Sequence, residues 1–142
     1  MRFAFYKAEY GDWLDKLIAW YTRGPYSHVE MFFEKDNICF SSSPRDGGTR
    51  WKTIPDIKTS GKWVIVDTPY VDENKLKIKC NAQLGKKYDW FCIFFNFVIP
   101  FDIHDPKRWI CSEICAKLVL KLKYAFKFSP NSLFKEVTKC KK

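Results

Sequence analysis

Residues 26–33 read YSHVEMFF, an alternation of polar and apolar side chains that is typical of a half-buried β-strand. Successive side chains of a strand point to opposite faces, so His28, Glu30 and Phe32 would share one face. The residues predicted on the other face are Val29, Met31 and Phe33. The strand would therefore present an imidazole and a carboxylate together, on a rigid element.

Residues 111–120, CSEICAKLVL, predict the first turns of a helix that follows the polar loop 102–108. Cys111 would then lie at the helix N-terminus, where unpaired backbone N–H groups favour a thiolate. A strand histidine facing such a sulfur is the minimum machinery for covalent thiol catalysis. Cys115 lies one turn later, on the predicted buried face, and is expected to be structural.

The other predicted elements give an α+β order. The turn signal Gly24-Pro25 ends a first helix, and a hairpin turn is expected at 34–37. Strands are predicted over 2–8, 38–43, 49–54 and 62–67, and helices over 12–21, over 72–84 and from Ser129 onward. The apolar positions at helical spacing in the first helix are Leu14, Leu17, Ile18 and Tyr21.

Length and composition are those of one domain spanning 1–142, with an aromatic content of 18% that supplies much of its core. The six cysteines lack the paired spacing of zinc ligands, and the N-terminus lacks a signal peptide. We therefore expect a reduced cytoplasmic protein that uses no metal and no organic cofactor. The aromatic segment 90–101 is too short to span a bilayer. It predicts a buried helix or, alternatively, a surface that touches lipid or an acyl chain.

The net charge of +9 is concentrated toward the C-terminus, where residues 117–142 hold eight lysines against the single acid Glu136. Such a basic end could steer the protein toward an anionic surface, although lysines on a solvated helix face are the commoner explanation. A nucleic-acid partner is not favoured, because no motif of spaced aromatics and arginines accompanies the lysines.

Three ordered motifs carry a resemblance to a known family. They are Ser27-His28-Val29-Glu30, Gly85-Lys86-Lys87-Tyr88-Asp89-Trp90 and Cys111-Ser112-Glu113. Together they resemble the circularly permuted NlpC-like cysteine hydrolases of the YiiX type, in which the histidine strand precedes the cysteine helix. The resemblance implies a papain-like fold, an antiparallel sheet packed against the helix that carries the nucleophilic cysteine. Lecithin-retinol-acyltransferase-like enzymes share the permuted order, but their asparagine-cysteine motif is absent here.

The same resemblance implies roles for individual residues. Cys111 matches the nucleophile, His28 the general base, and Tyr88 a tyrosine whose hydroxyl can donate to the oxyanion. The residue that orients the imidazole falls near Ser41 by the family pattern. Glu30, on the same strand face as His28, is the alternative; it would otherwise be a rim carboxylate in an ion pair.

Three polar residues outside this set have weaker claims to a function. Arg45 could bind a substrate carboxylate, or simply belong to a polar turn. His104 is a spare candidate for the base, and Asp89 is expected to cap a helix beginning at Trp90.

These residues predict a thiol hydrolase that cleaves an amide or ester bond through an acyl-cysteine intermediate. A peptidoglycan-type peptide is the substrate that the resemblance suggests first. Two alternatives stay open: a hydrolase or acyltransferase acting on lipid or acyl chains, and a non-catalytic binding module that retains the fold.

Overall fold

A computed structural model of the chain describes residues 1–90 and 107–139. Within these ranges the chain forms strands β1 Arg2–Lys7, β2 Tyr26–Phe33, β3 Ile38–Ser43, β4 Gly48–Lys52, β5 Trp63–Asp67, β6 Lys87–Tyr88 and β7 Arg108–Trp109. The helices are α1 Trp13–Tyr21, α2 Glu73–Asn81, α3 Cys111–Val119 and α4 Pro130–Lys139, and two short 3₁₀ helices cover Ala8–Tyr10 and Ala125–Lys127. The predicted α+β class is confirmed.

The strands form one sheet in the order β5-β1-β2-β3-β4-β6-β7. All neighbours are antiparallel except β6 and β7, which pair in parallel. The sequence did not predict β6 and β7, and the loop predicted over 102–108 overlaps β7 at Arg108. Each of these strands is two residues long, which is too short for an alternating pattern to show.

Aspartate side chains cap the starts of α1 and α2. Asp12 accepts hydrogen bonds from the backbone N–H groups of Leu14 and Asp15 at the start of α1, and the Asp15 carboxylate accepts from the Asp12 N–H in return. Asp72 likewise accepts hydrogen bonds from the backbone N–H groups of Asn74 and Lys75 at the start of α2. The prediction for α2 extended the helix too far, to 84: the helix ends at Asn81, and residues 82–85 form turns.

Both faces of β2 are largely buried, so the strand is not half-buried as the alternation predicts, but the two faces lie in different surroundings. Val29, Met31 and Phe33 are fully buried in the main core, which includes side chains of α3 and α4. Phe32 lies in a smaller cluster with Ala4, Cys39 and Ile57. The helix that begins at Cys111 therefore packs against the sheet through the apolar face of the histidine strand.

Pairing between β2 and β3 is limited to one end of the two strands. Met31 pairs with Phe40 and Phe33 pairs with Ile38, whereas the beginning of β2 is paired with β1. Residues 41–43 of β3 pair with β4. Helix α3 contacts both β2 and β3. The sheet therefore places the start of β2 and the end of β3 near the same helix without joining them by a ladder.

Asn131 in α4 fastens the beginning of β2. Its side-chain oxygen accepts from the Tyr26 N–H at 2.9 Å, and its amide nitrogen donates to the Tyr26 carbonyl at 2.8 Å and to the Thr22 hydroxyl at 2.6 Å. Asn131 is 2% exposed, so these bonds are shielded from water. The backbone two residues before His28 is thereby held in place from a distant part of the chain.

The outer side of α1 differs from the expectation. Ile18 is buried and Leu14 half-buried, but Leu17 and Tyr21 are each 40% exposed.

No helix within residues 1–90 and 107–139 combines the length and apolar character needed to cross a membrane. Of the aromatic segment 90–101, only Trp90 lies within the described residues, so the prediction for that segment falls outside them.

Candidate active site

The structure brings Cys111 and His28 together. Cys111 is the first residue of α3, after Ile110 in extended conformation, and its side chain is 4% exposed. It lies close enough to the imidazole of His28 on β2 to raise the pKa of that ring. The thiol thus lies at a helix N-terminus and against an imidazole, which are the two features that favour a nucleophilic sulfur.

Glu30 lies directly behind His28. Its Oε1 is 2.7 Å from His28 Nε2, and Glu30 is fully buried. Side chains two residues apart on a strand share a face, which explains how the carboxylate reaches the ring. Cys111, His28 and Glu30 therefore form a continuous chain of contacts from thiol to imidazole to carboxylate.

The charges in this chain reinforce one another. Burial disfavours the imidazolium, but the charges of Cys111 and Glu30 and the hydrogen bonding of the ring to these two groups outweigh it and raise the pKa of His28 to about 10. Burial likewise disfavours the Glu30 carboxylate, yet His28 and Arg50 lower its pKa below the ordinary value. The contacts therefore favour a protonated imidazole beside an ionised Glu30 carboxylate.

Arg50 on β4 completes the network, and sequence reasoning missed it. Its Nη2 and Nη1 donate to the two carboxylate oxygens of Glu30 at 2.6 and 3.0 Å, and its Nε donates to Asp46 at 2.6 Å. Burial raises the pKa of Asp46, but Lys52 and Arg50 lower it to about 2. Because Glu30 is fully buried and Arg50 pairs with both of its oxygens, Glu30 is not a rim carboxylate, although it does form an ion pair.

Ser41, the other residue proposed to orient the imidazole, has different partners. Its hydroxyl donates to the Val29 carbonyl at 2.7 Å, and its side chain is also hydrogen-bonded to Cys115. Burial, followed by the charge of Cys111, raises the pKa of Cys115 well above the ordinary thiol value. The contact with His28 is thus made by Glu30, while Ser41 supports the backbone of β2 beside it.

Tyr88 is placed close to the start of α3 by the short parallel ladder. It is buried on β6 and pairs with Trp109 on β7, two residues before Cys111. The next backbone N–H, that of Asp89, donates to the Trp109 carbonyl at 3.2 Å. The middle motif of the sequence therefore adjoins the cysteine helix.

Arg45 is engaged within the protein. Its Nη2 donates to Asp12 at 2.7 Å and to Asp15 at 2.6 Å, and Asp15 also accepts from the Ser27 hydroxyl at 2.6 Å. The half-exposed guanidinium thereby ties the loop after β3 to the start of α1. A substrate carboxylate at Arg45 would have to compete with these two acids.

A cleft of about 400 Å³ opens beside the imidazole. His28 and Glu30 lie in its wall next to the rings of Tyr6 and Trp63, and Arg45 and Arg50 line another part. The centroids of the His28 and Trp63 rings are 6.4 Å apart. The cleft therefore places aromatic rings and charged groups side by side, next to the imidazole of His28.

Glu113 is a further buried carboxyl, to which the sequence analysis gave no role of its own. It lies in the first turn of α3 and is 1% exposed. Burial, reinforced by the nearby charge of Asp89, raises the pKa of Glu113 to about 8 despite opposing contributions from Ile110 and Lys117. The helix that begins with the thiol therefore carries a carboxyl held largely in its neutral form at neutral pH.

The spare base candidate His104 and most of the helix that Asp89 was expected to cap lie outside the described residues. Among residues 1–90 and 107–139, no group of three or more histidine, cysteine, aspartate or glutamate side chains is arranged to hold a metal ion.

Comparison of the chain with protein-family models, with curated proteins and with solved structures finds no match. The contacts among Cys111, His28 and Glu30 are therefore the basis on which a function is argued.

Proposed function

We propose that this chain is a thiol hydrolase of papain-like, permuted NlpC type that cleaves an amide or ester bond through an acyl-cysteine. The observation that carries the proposal is the buried contact chain from Cys111 through His28 to Glu30. A core cysteine without catalytic use would need neither an imidazole at its sulfur nor a carboxylate behind that imidazole.

The reaction would begin from a pair in which His28 already holds the proton of the Cys111 thiol. The sulfur attacks the substrate carbonyl, and the tetrahedral intermediate collapses as the C–N or C–O bond breaks and the His28 imidazolium protonates the leaving amine or alcohol. Water then attacks the acyl-cysteine while His28 accepts its proton, and the proton returns to the sulfur as the acid is released.

Glu30 and Arg50 act through His28. The carboxylate fixes the direction of the ring and stabilises the imidazolium, and the guanidinium keeps Glu30 ionised and in place. The Cys111 backbone N–H at the start of α3 and the Tyr88 hydroxyl are the proposed donors to the oxyanion. Peptides are the substrates to test first, because the family resemblance points to them.

Selective alkylation is the first test of the nucleophile. At mildly acidic pH, iodoacetamide should modify Cys111 well before Cys39, Cys80 or Cys115. Burial raises the pKa of Cys39 and of Cys80 to about 12, so these buried thiols stay protonated. Peptide mapping by mass spectrometry gives the rate at each site, and equal rates at all cysteines would contradict the proposal.

Trapping of the acyl-enzyme tests turnover. We expect incubation with a p-nitrophenyl ester or a peptide p-nitroanilide to give an acyl adduct on Cys111, with none in Cys111→Ala and a strongly slowed reaction in His28→Ala. Cys80→Ala is the matched control, since it removes a buried thiol on α2 and should react like the parent. A folded protein that forms no adduct with either substrate class would instead be the binding module.

A further inference from the structure

Helix α1 presents an apolar stripe to solvent. Trp13, Leu17, Trp20 and Tyr21 follow the spacing i, i+4, i+7 and i+8, which places their side chains on one side of a helix. Trp13 is 74% exposed and Trp20 is 76% exposed. Two tryptophans so far out of the core are unusual, because a surface helix normally turns such a stripe inward.

Basic residues surround this stripe. Lys16 is exposed within α1, and Arg23 is exposed just after the helix. Lys7 and Lys16 line the same surface depression, together with Glu9, and the Lys7 ammonium lies 5.8 Å from the ring centroid of the half-exposed Tyr10. The acid at the helix start, Asp12, is paired with Arg45. The surroundings of the stripe are therefore positively charged on balance.

The helix is held rigidly against the sheet on its inner side. Its Asp15 accepts a hydrogen bond from Ser27 of β2, and Thr22 at its end accepts one from Asn131 of α4. The inner residue Ile18 is buried. The outer stripe is therefore a fixed feature of the domain.

We propose that the α1 face, defined as Trp13, Leu17, Trp20 and Tyr21 with Lys16 and Arg23, docks the protein onto membranes that contain anionic lipid. Tryptophan and tyrosine rings prefer the boundary between lipid headgroups and acyl chains, and lysine and arginine beside them are attracted to anionic headgroups.

Charge favours a membrane over a second copy as the occupant. A second α1 face would add its own Lys16 and Arg23 to the contact, and further cations oppose association with a face that already carries two. An anionic lipid surface neutralises these cations while it covers the tryptophans. The same complementarity would let α1 dock at the membrane surface without crossing it.

The proposal is independent of thiol chemistry, so Cys111→Ala should dock like the parent chain. The test is co-sedimentation of the full chain with phosphatidylcholine vesicles that contain or lack phosphatidylserine. We expect binding to the vesicles with phosphatidylserine, a blue shift of tryptophan emission, and loss of binding at high salt.

Variants locate the surface. Trp13→Ala combined with Trp20→Ala should weaken vesicle partitioning by about tenfold or more, since both large apolar side chains leave the interface. Lys16→Gln combined with Arg23→Gln should weaken it by roughly fivefold or more through lost attraction to the headgroups. Tyr70→Ala removes an aromatic that is 97% exposed elsewhere, and Lys35→Gln removes an exposed charge elsewhere; both are matched controls that should bind like the parent.

Three outcomes would overturn the proposal. The first is a parent chain that binds neither kind of vesicle. The second is binding that survives the α1 variants and is abolished by Lys121→Gln, Lys123→Gln and Lys127→Gln together, which would place the contact at the basic C-terminal end. The third is a dimer, seen by sedimentation velocity, that the tryptophan variants dissociate while vesicles have no effect.

Discussion

Arg50 forms a bidentate ion pair with Glu30, donating to its two carboxylate oxygens at 2.6 and 3.0 Å, in the buried space behind the imidazole of His28. A buried carboxylate is costly unless its charge is matched. Arg50 supplies this match from another strand, and Asp46 fixes the guanidinium from its other side. The position of the proposed base therefore depends on a residue that does not touch it.

The Glu30–Arg50 pair should show in stability as a strong coupling. Arg50→Gln leaves the buried Glu30 charge without its guanidinium partner and should cost about 3 kcal/mol of unfolding free energy. Arg50→Lys should cost less, because one hydrogen bond to the carboxylate can persist. Urea unfolding of the single variants and of the Glu30→Gln, Arg50→Gln double variant measures the coupling, and simple additivity of the two losses would contradict it.

Glu30, and not Ser41, should control the reactivity of the thiol. Glu30→Gln removes the charge that helps to hold the imidazolium, so the pKa of His28 falls from about 10. His28 then keeps its proton over a narrower pH range. We expect turnover to fall by about a hundredfold or more and the pH profile of Cys111 alkylation to shift.

Ser41→Ala is the comparison for that experiment. It loses the hydrogen bond to the Val29 carbonyl but leaves the contact between Glu30 and His28 intact. We expect a small change in rate and an unshifted pH profile. A larger effect at Ser41 than at Glu30 would return the orienting role to the position inferred from the family pattern.

Glu113 should make the protein less stable as pH rises through the neutral range. Its pKa is raised by burial from 4.5 in the unfolded chain to about 8 in the folded protein, so the folded state retains a proton that the unfolded state has lost between these values. Unfolding free energy therefore decreases over this window and levels off above it. Glu113→Gln cannot ionise and should flatten the profile.

Thermal unfolding across this pH range checks that prediction. The melting temperature of Glu113→Gln relative to the parent should rise steadily from pH 4.5 to 8, the interval between the two pKa values. Glu9→Gln in the first 3₁₀ helix changes an exposed carboxylate and serves as the control for removing one negative charge. A difference that is constant with pH would show that Glu113 ionises normally.

Asn131 should be needed to hold β2 against α4. Asn131→Ala leaves the N–H and carbonyl of Tyr26 buried without their partner, and we expect a loss of about 2–4 kcal/mol of unfolding free energy. Asn74→Ala, at an exposed position of α2, is the control and should change stability little. Urea unfolding measures both, and a loss below about 1 kcal/mol at Asn131 would contradict the prediction.

Local patterns were sufficient to predict the two elements that carry the proposed chemistry. The alternation around His28 and the helical periodicity after Cys111 depend on near neighbours in the chain, and both appear at the predicted places. The face shared by His28 and Glu30 follows from the same alternation. These features needed no knowledge of which strands pair.

Contacts that depend on which strands pair, and in which register, could not be predicted from local sequence patterns. Arg50 reaches Glu30 because it lies opposite Ser41 in the β3–β4 ladder, and nothing in the sequence fixes that register. The expected approach of Ser41 to His28 assumed that β3 continues beside β2, whereas the observed pairing of these strands covers only 31–33 of β2. Hydrophobic spacing in α1 could not show which of two overlapping apolar stripes faces the core.

The hydrogen bonds between Asn131 and Tyr26 connect positions 105 residues apart, which has a consequence for the order of assembly during synthesis. The strand with the imidazole leaves the ribosome well before the helix with the thiol, and its first residues are fastened only after α4 has followed. A nascent chain stopped within the middle motif would carry a base without a nucleophile. The proposed pair of Cys111 and His28 is thus complete only when almost the whole described chain has been made. The thiol meets the imidazole only when the domain folds.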